Sequence, residues 1–223
     1  MESKLLLKLA DKSLSKEDLY KLVETDFERL PELFAGVVSS KASVRYGCAS
    51  VLVSLSVKYP EQLYPYMDRF IDLLSSKYRI LTWNAMAVIA NLCLVDEEKK
   101  FDSTFDQYFS NLNSGYLVTA ANVVGNSAKI AVAKPYLIPK ITRELLKVEN
   151  IAITPHLTEE CKRVLAEHTL KSFSLFYDRM DIIEKTQVFS FAKRQVDSPR
   201  KRLKQEAEAC LIRWNMCNSE KKQ

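Results

Sequence analysis

The sequence predicts an all-α fold built from repeated helical hairpins, and three observations support this prediction. The chain of 223 residues holds only 4 Gly and 7 Pro, too few for the tight turns of a sandwich, a barrel or a doubly wound sheet. Its apolar content of 47% and charged content of 27% are those of a globular protein and exclude a disordered or fibrous chain. An apolar pattern also recurs along the chain, which is the signature of a repeat architecture.

The repeat is clearest where residues 39–52 align without gaps on residues 75–88, at an offset of 36. In each copy an apolar residue is followed four places later by a small one, and then by two more apolar or small residues at the seventh and eighth places. This is the stripe of an amphipathic helix. Five copies, at steps of 36, 36, 41 and 46 residues, begin at Val44, Ile80, Tyr116, Leu157 and Leu203.

A second apolar-periodic segment precedes each copy, so each repeat is predicted to be a hairpin of two helices. The first helices are predicted over residues 30–38, 67–74, 105–112, 137–146 and 180–191. Ser15, with Asp18 three places later, is expected to cap a helix before the repeats, and Pro31 and Pro155 suit first turns. The whole chain, 1–223, is predicted to be one domain, with capping helices in 1–29, repeats over 30–215 and a polar tail at 216–223.

The second helices resemble those of the HEAT repeat and, more loosely, those of the armadillo repeat. The resemblance rests on Val44, Arg45 and the small residue Cys48 four places after Val44, and it covers about residues 30–215. It implies a right-handed α-solenoid of about five hairpins whose second helices line a concave side. The basic residue typical of HEAT repeats is present at Arg45 and Lys204 but is replaced in the middle repeats by Leu81, Leu117 and Thr158.

Armadillo importins pair a Trp of the inner helix with an Asn four residues later. In this sequence Trp83 is followed at that spacing by Ala87, so the resemblance does not carry over peptide binding of the importin kind. What remains is a family that mostly builds binding surfaces for proteins and sometimes for nucleic acids.

Residues that could carry chemistry are scarce. The four glycines lie too far apart for a GxGxxG or Walker A loop. His156 is expected in the first turn of a helix with Glu160 as its only companion ligand, whereas zinc needs three or four. His168 lies on the register of core positions, which favours a packed histidine over a catalytic base. We therefore predict no catalytic residue, no metal site, no cofactor and no enzymatic activity.

The cysteines and the N-terminus indicate an intracellular, cytoplasmic protein. Five cysteines are an odd number without a CxxC pair, which suits a reducing compartment, and we expect them to be unbonded. The first residues contain no apolar run long enough for a signal peptide, and nowhere do eighteen apolar residues follow one another.

The net charge of +5 is concentrated near the C-terminus, where residues 190–223 hold nine basic and four acidic side chains. The basic patch is predicted to consist of Lys193, Arg194, Arg200, Lys201, Arg202 and Lys204. A solvated loop leading into the last helix is the favoured interpretation. The alternatives are contact with phosphates or an acidic partner, and a targeting or phosphorylation site at Ser198.

Helix geometry predicts a partner surface. At about 100° per residue, the core positions Val44, Cys48, Val51 and Leu55 share one side of their helix, so the opposite side faces the groove. The groove residues predicted to bind a protein or peptide segment are Tyr46, Val53, Met86, Ile89, Asn122 and Arg163. The structural alternative is that adjacent repeats or a curled N-terminal segment cover the apolar groups of this strip. The functional alternative is nucleic-acid binding through the basic C-terminal region, as in HEAT-like DNA-repair glycosylases.

Overall fold

The computed structural model describes the chain from residue 3 to residue 220, and its side chains as far as residue 215. Over that stretch the backbone is helical and holds no β-strand, only an isolated bridge between Thr154 and Leu157, so the predicted all-α class is confirmed. The helices are α1 (Lys4–Ala10), α2 (Lys16–Thr25), α3 (Leu30–Val37), α4 (Ala42–Lys58), α5 (Pro60–Leu63), α6 (Met67–Leu73), α7 (Arg79–Leu92), α8 (Lys100–Ser110), α9 (Leu117–Ala133), α10 (Ile138–Leu146), α11 (Glu159–Ser174), α12 (Ile182–Gln195) and α13 (Lys201–Glu220).

The predicted hairpins are present. The second helices are α4, α7, α9, α11 and α13, and each predicted first helix overlaps α3, α6, α8, α10 or α12. The predicted bounds are least accurate for α8, which begins five residues before the predicted 105 and ends at Ser110. Before the hairpins, Ser15 accepts a hydrogen bond from the backbone N–H of Asp18 and caps α2, as predicted. Pro31 lies in the first turn of α3, which confirms its predicted place. Pro155 and His156 instead lie in the connection before α11, because Thr158 caps that helix and Glu159 begins it.

The chain forms two compact units, Met1–Thr104 (unit 1) and Phe105–Gln223 (unit 2). In unit 1 the second helices α4 and α7 pack side by side, and α1 and α2 pack against α4. In unit 2, α11 lies between α9 and α13 and contacts both. The single domain over 1–223 stays a prediction. Of the predicted tail, α13 continues to Glu220, and residues 221–223 lie outside the described part of the chain.

The helix phase predicted for α7 is wrong by one residue. In α4, Val44, Cys48, Val51 and Leu55 are at most 2% exposed, as predicted. Their counterparts in α7 are Leu81, Ala85, Val88 and Leu92, which lie 37 places further along the chain rather than 36. Ile80, the predicted core residue, is 40% exposed. The connection before α7, residues 74–78, is one residue longer than residues 38–41 before α4, and this insertion rotates the buried face by about 100°.

The same kind of shift affects α11. His168 is exposed, while its neighbour Thr169 is fully buried, so the predicted core histidine is wrong. Because the connection between α10 and α11 is long, the residues of α11 that face the core are not those that the sequence offset of 41 predicts. In α13 the predicted phase is correct, because Leu203, Ala207, Cys210 and Trp214 are at most 1% exposed.

Arg45 shows what a basic residue does at the start of a second helix. Its side chain is 5% exposed, and its guanidinium carbon lies 3.8 Å from the ring centroid of Tyr78 and 4.8 Å from that of Tyr46. Nη1 donates to the carbonyl oxygens of Ser39 and Ser40, at 2.8 and 3.2 Å. The residue therefore joins α4 to the turn before it and to the residue preceding α7, through hydrogen bonds and a cation–π contact.

Glu24 ties the last turn of α2 to the end of α4. Its Oε1 accepts hydrogen bonds from Lys58 Nζ at 2.6 Å, Tyr59 OH at 2.7 Å and Tyr20 OH at 3.1 Å. These bonds, above all those from Lys58 and Tyr59, stabilise the carboxylate and lower the pKa of Glu24 to about 2.

Candidate functional site

The structure separates the predicted partner-binding residues into two groups. Tyr46 and Val53 of α4, Asn122 of α9 and Arg163 of α11 are partly exposed. Met86 and Ile89 are 0% exposed and belong to the core of unit 1, so their prediction as groove residues is wrong. The cause is the one-residue shift of α7, which turns these two side chains inward. The exposed face of α7 carries Trp83 and Ala87 at the places equivalent to Tyr46 and Ser50 of α4.

The predicted basic loop consists mostly of helix ends. Lys193 and Arg194 belong to the last turn of α12, and Lys201, Arg202 and Lys204 to the start of α13, so only residues 196–200 connect the two helices. Cations suit the C-terminal turn of α12, where the helix dipole is negative, but they oppose the dipole at the start of α13. Carboxylates near the start of α13 are therefore to be expected, and the structure provides them.

Arg200 is the centre of an alternating charge network on unit 2. Its Nη1 lies 2.5 Å from Glu160 Oε1, and its Nε lies 3.1 Å from Glu167 Oε2. Glu160 also accepts a hydrogen bond from Arg163 Nη1 at 3.2 Å, and Glu167 one from Lys171 Nζ at 2.6 Å. Arg163, predicted for the groove, and Arg200, predicted for the basic patch, thus meet at one carboxylate.

The network changes the ionisation of its members. Hydrogen bonds from Arg200 and Arg163 hold the pKa of Glu160 below its usual range. Burial alone would raise the pKa of Glu167, whose side chain is 6% exposed, but hydrogen bonds from Lys171 and Arg200 outweigh burial and lower it. The pKa of Arg200 is raised, chiefly by its bond to Glu160. Glu160, Glu167 and Arg200 therefore stay charged at neutral pH.

A second ion pair lies beside the network. Arg194 donates from Nε and Nη2 to the two carboxylate oxygens of Glu149, at 3.0 and 2.7 Å, a bidentate geometry, and Gln195 Nε2 adds a bond of 2.8 Å to Oε1. An open cleft of about 360 Å³ adjoins this pair. Its lining is mostly polar and consists of Val148, Glu149, Glu159, Lys162, Arg163, Ala166, Arg194, Gln195, Asp197, Ser198 and Pro199.

The exposed residues of the basic patch that form no ion pair with another described residue are Lys193, Lys201 and Arg202. In the described part of the chain, no carboxylate oxygen lies within 4.0 Å of their side-chain nitrogens. Lys193 lies over the ring of Phe189, at 5.0 Å from its centroid, and Lys204 is 4.0 Å from Glu208. The patch is thus divided between arginines engaged with glutamates and cations open to solvent. A patch of six free cations, as the sequence alone indicates, is not what the structure shows.

The histidines lie apart from this cleft lining. His156 is exposed and stacks on Tyr116 with ring centroids 4.8 Å apart. Within residues 3–215, whose side chains are described, no three His, Cys, Asp or Glu residues are grouped so that they could bind a metal ion. Likewise, none of the described helices has the length and apolar composition needed to cross a membrane.

Solved structures match the chain as a whole. A designed armadillo repeat protein matches with a TM-score of 0.59 and 18% identity, over 93% of this chain and 89% of that one. This chain has a HEAT/armadillo-like helical repeat fold. An engineered protein also matches, with a TM-score of 0.52 and 14% identity, over 95% of this chain and 87% of the other. At these identities the likeness shows the helical repeat fold alone. No known family and no curated protein matches the sequence.

Proposed function

We propose that the chain is a non-enzymatic scaffold whose unit 2 binds a segment of another protein along the exposed faces of α9, α11 and the start of α13. The observation that carries the proposal is the solvent-open network in which Glu160 accepts hydrogen bonds from both Arg163 and Arg200. A partner segment that carries both basic and acidic side chains can form ion pairs with the carboxylates and with the arginines of such a network. Electrostatic complementarity of this kind sets orientation and register at an interface.

Polar and apolar groups beside the network fit an extended polypeptide. Asn122 is partly exposed on α9, and its Nδ2 donates to the carbonyl oxygen of Val118, so its side-chain carbonyl faces outward as an acceptor for a partner's N–H. Val118, one turn earlier, is 48% exposed and offers an apolar contact. In unit 1, the partly exposed Tyr46 and Val53 of α4 are the corresponding proposed contacts.

The neighbouring glutamates favour a protein partner over a nucleic acid. Glu149, Glu160 and Glu167 each lie against an arginine that a phosphate backbone would otherwise contact. A polyanion would have to approach these carboxylates, and like charges in contact are unfavourable. The observation that favours the nucleic-acid alternative is the exposure of Lys193, Lys201 and Arg202.

The proposal is tested by capture followed by titration. Tagged chain from the source cells is analysed for co-purifying proteins, and the partner found is then titrated against purified variants by calorimetry. Arg163→Glu is expected to weaken binding at least tenfold, about 1.4 kcal/mol. The matched control Arg213→Glu, on an exposed arginine of α13 outside the network, should bind like the unmodified chain. Equal binding by both variants would place the partner surface elsewhere.

A salt titration separates the two classes of partner. Labelled single-stranded and duplex oligonucleotides are titrated with the chain between 50 and 200 mM salt, a range over which about 6–10 phosphate contacts cost roughly 10³–10⁵ in affinity. The scaffold proposal expects no binding at low salt. Tight binding that falls steeply with salt, and that is lost in Lys201→Gln/Arg202→Gln, would favour the nucleic-acid alternative.

We also propose a reducing, cytoplasmic location, and the cysteines support it. Cys48, Cys93, Cys161 and Cys210 are not disulfide-bonded. Burial raises the pKa of the Cys48 thiol to about 12, and burial is also the main cause that raises the pKa of Cys210 to about 11. The side chain of Cys217 lies outside the described residues. Thiols that are buried and protonated are slow to oxidise.

A further inference from the structure

Ser198 lies in the short connection between α12 and α13 and lines the cleft beside Arg194. It is partly exposed, its backbone N–H donates to the carbonyl oxygen of Gln195 at 3.1 Å, and its Oγ accepts a hydrogen bond from the backbone N–H of Arg200 at 3.3 Å. Its hydroxyl proton donates to no atom of the described residues. The side chain is thus held by a single long hydrogen bond, and residues 196–200 lie outside both helices. A kinase that binds the segment in an extended form through Lys201 has to open only the first turn of α13.

The residues after Ser198 give it the pattern that proline-directed kinases recognise. Pro199 follows directly, and Arg200 and Lys201 supply positive charge two and three places after the serine. Proline has no N–H and restricts the residue before it to an extended conformation, which suits a kinase cleft that binds its substrate as an extended strand. Pro199 and Lys201 are exposed and can be reached.

The described chain contains a natural comparison in Thr154, which also precedes a proline. The hydroxyl of Thr154 donates to the carbonyl oxygen of Gly115 at 2.6 Å, and its backbone is paired with Leu157 in the isolated bridge. The two residues after Pro155 are His156 and Leu157, so the cationic residue three places after the acceptor is missing. Both its hydrogen bonding and its sequence context disfavour Thr154 as an acceptor.

The surroundings of Ser198 can hold a phosphate. Arg163, Arg194 and Lys162 line the same cleft, together with the carboxylates of Glu149, Glu159 and Asp197. Arg200 follows Ser198 by two residues in the sequence and lies outside the cleft lining. Phosphorylation adds about −1.5 to −2 charge and three strong acceptor oxygens, which pair with guanidinium groups in a bidentate manner. Arg194 and Arg200 pair with the singly charged carboxylates of Glu149 and Glu160. Unlike a free polyanion, a phosphate on Ser198 is held beside these donors by the chain itself and carries more charge than either carboxylate, so it can replace Glu149 or Glu160 as their partner.

We infer that Ser198 is a phosphorylation site for a proline-directed serine/threonine kinase, and that the attached phosphate is bound by Arg194 and Arg200. In the reaction the Ser198 oxygen attacks the γ-phosphorus of ATP and forms the new O–P bond. The bond from that phosphorus to the β,γ-bridging oxygen breaks, ADP leaves, and the hydroxyl proton passes to the catalytic carboxylate of the kinase. This inference rests on the cleft and its sequence, and it does not require the proposed partner.

The experiment incubates the full chain with ATP and a cyclin-dependent protein kinase that phosphorylates a control peptide in the same tube. Peptide mapping by mass spectrometry is expected to find phosphate on Ser198 and none on Thr154. In the variant Ser198→Ala, neither residue 198 nor Thr154 should carry phosphate. Phosphate on Thr154 alone, or an unmodified Ser198 beside a fully modified control peptide, would overturn the assignment of the site.

The binding of the phosphate is measured by ³¹P NMR titration of the phosphorylated chain. The second pKa of phosphoserine is about 6 when unperturbed. Guanidinium partners should lower it by about half a unit or more in the folded chain relative to the chain in urea. Arg194→Gln should reduce this difference, whereas Arg213→Gln should leave it unchanged. Equal values in the folded and unfolded chains would show that Arg194 and Arg200 do not bind the phosphate.

Discussion

Gly36 lies where α3 and α4 approach closely, and replacing it with Ala tests how tightly the first hairpin is packed. A Cβ placed on Gly36 would lie 2.9 Å from Leu6 Cδ2, 3.2 Å from Cys48 Cβ, and closer still to Cys48 Sγ. Real side chains essentially never tolerate such a contact, so α3 and α4 must separate or Cys48 must move. Overpacking of this kind costs about 1–3 kcal/mol.

Two opposing effects set the expected magnitude. Ala is favoured over Gly by up to about 1 kcal/mol in a helix interior, but Gly36 is the last residue but one of α3, so about half of that gain is expected and Gly36→Ala should lose about 0.5–2.5 kcal/mol net. For a chain of this size, that loss lowers the melting temperature by about 1–10 °C. Gly125 of α9 is the matched control, because a Cβ there meets no atom within 4 Å. Gly125→Ala should gain about 0.5–1 kcal/mol and raise the melting temperature.

The assay is thermal and urea unfolding followed by far-ultraviolet circular dichroism. The double variant Gly36→Ala/Cys48→Ala removes the sulfur that the new methyl group would meet, so it should lose less stability than the sum of the two single variants. An unchanged or raised melting temperature for Gly36→Ala would refute the close approach of α3 and α4. Strict additivity in the double variant would refute Cys48 as the cause.

Three further outcomes follow from burial and charge. Met86→Asp should cost more than about 3 kcal/mol in urea unfolding, because it buries an unpaired charge, whereas Val57→Asp, at a side chain 67% exposed, should stay within about 0.5 kcal/mol. Because the pKa of Glu24 is lowered from 4.5 to about 2, its contribution to stability is present above pH 4.5 and is lost as the pH falls towards 2. The melting temperature of Glu24→Gln, measured from pH 6 to pH 2, should accordingly fall less than that of the unmodified chain. Arg200→Gln should lower the free energy of unfolding by about 1–2 kcal/mol in the same assay, since it deprives buried Glu167 of a partner. The control Arg202→Gln should lower it by almost nothing, because Arg202 is exposed. Equal losses in the two variants would argue against the network.

The fold could be predicted from the sequence because the apolar pattern that specifies each helix lies within that helix. Each helix repeats its apolar residues on one face, and that periodicity can be read without knowing what the face contacts. The phase between repeats depends instead on the lengths of the connections. A single extra residue before α7 moved Ile80 outward and Met86 inward, and the composition of that connection gives no sign of the change.

The candidate site could be predicted only in part, because it depends on pairs of residues. The sequence predicts Arg163, Arg194 and Arg200, but it does not predict the carboxylates that engage them: Glu160 is considered only beside His156, and no role is predicted for Glu149 or Glu167. A signal was available, since Glu160 precedes Arg163 by three residues on one helix and Glu167 precedes Lys171 by four. The choice of Arg200 as their common partner depends on how α13 packs beside α11, which no local pattern encodes.

Side-chain bonds between neighbouring hairpins give each unit a particular kind of cooperativity. Glu24 and Lys58 are 34 residues apart, Ser56 and Asn91 are 35 apart, and Glu160 and Arg200 are 40 apart, each about one repeat. A repeat array behaves as a one-dimensional chain whose stability is the sum of intrinsic terms and nearest-neighbour couplings. Such bonds belong entirely to the coupling term. Each hairpin that unfolds within a unit should therefore lose the coupling term to its neighbour. A substitution that breaks one bond should destabilise the two repeats that the bond joins and leave more distant repeats unchanged.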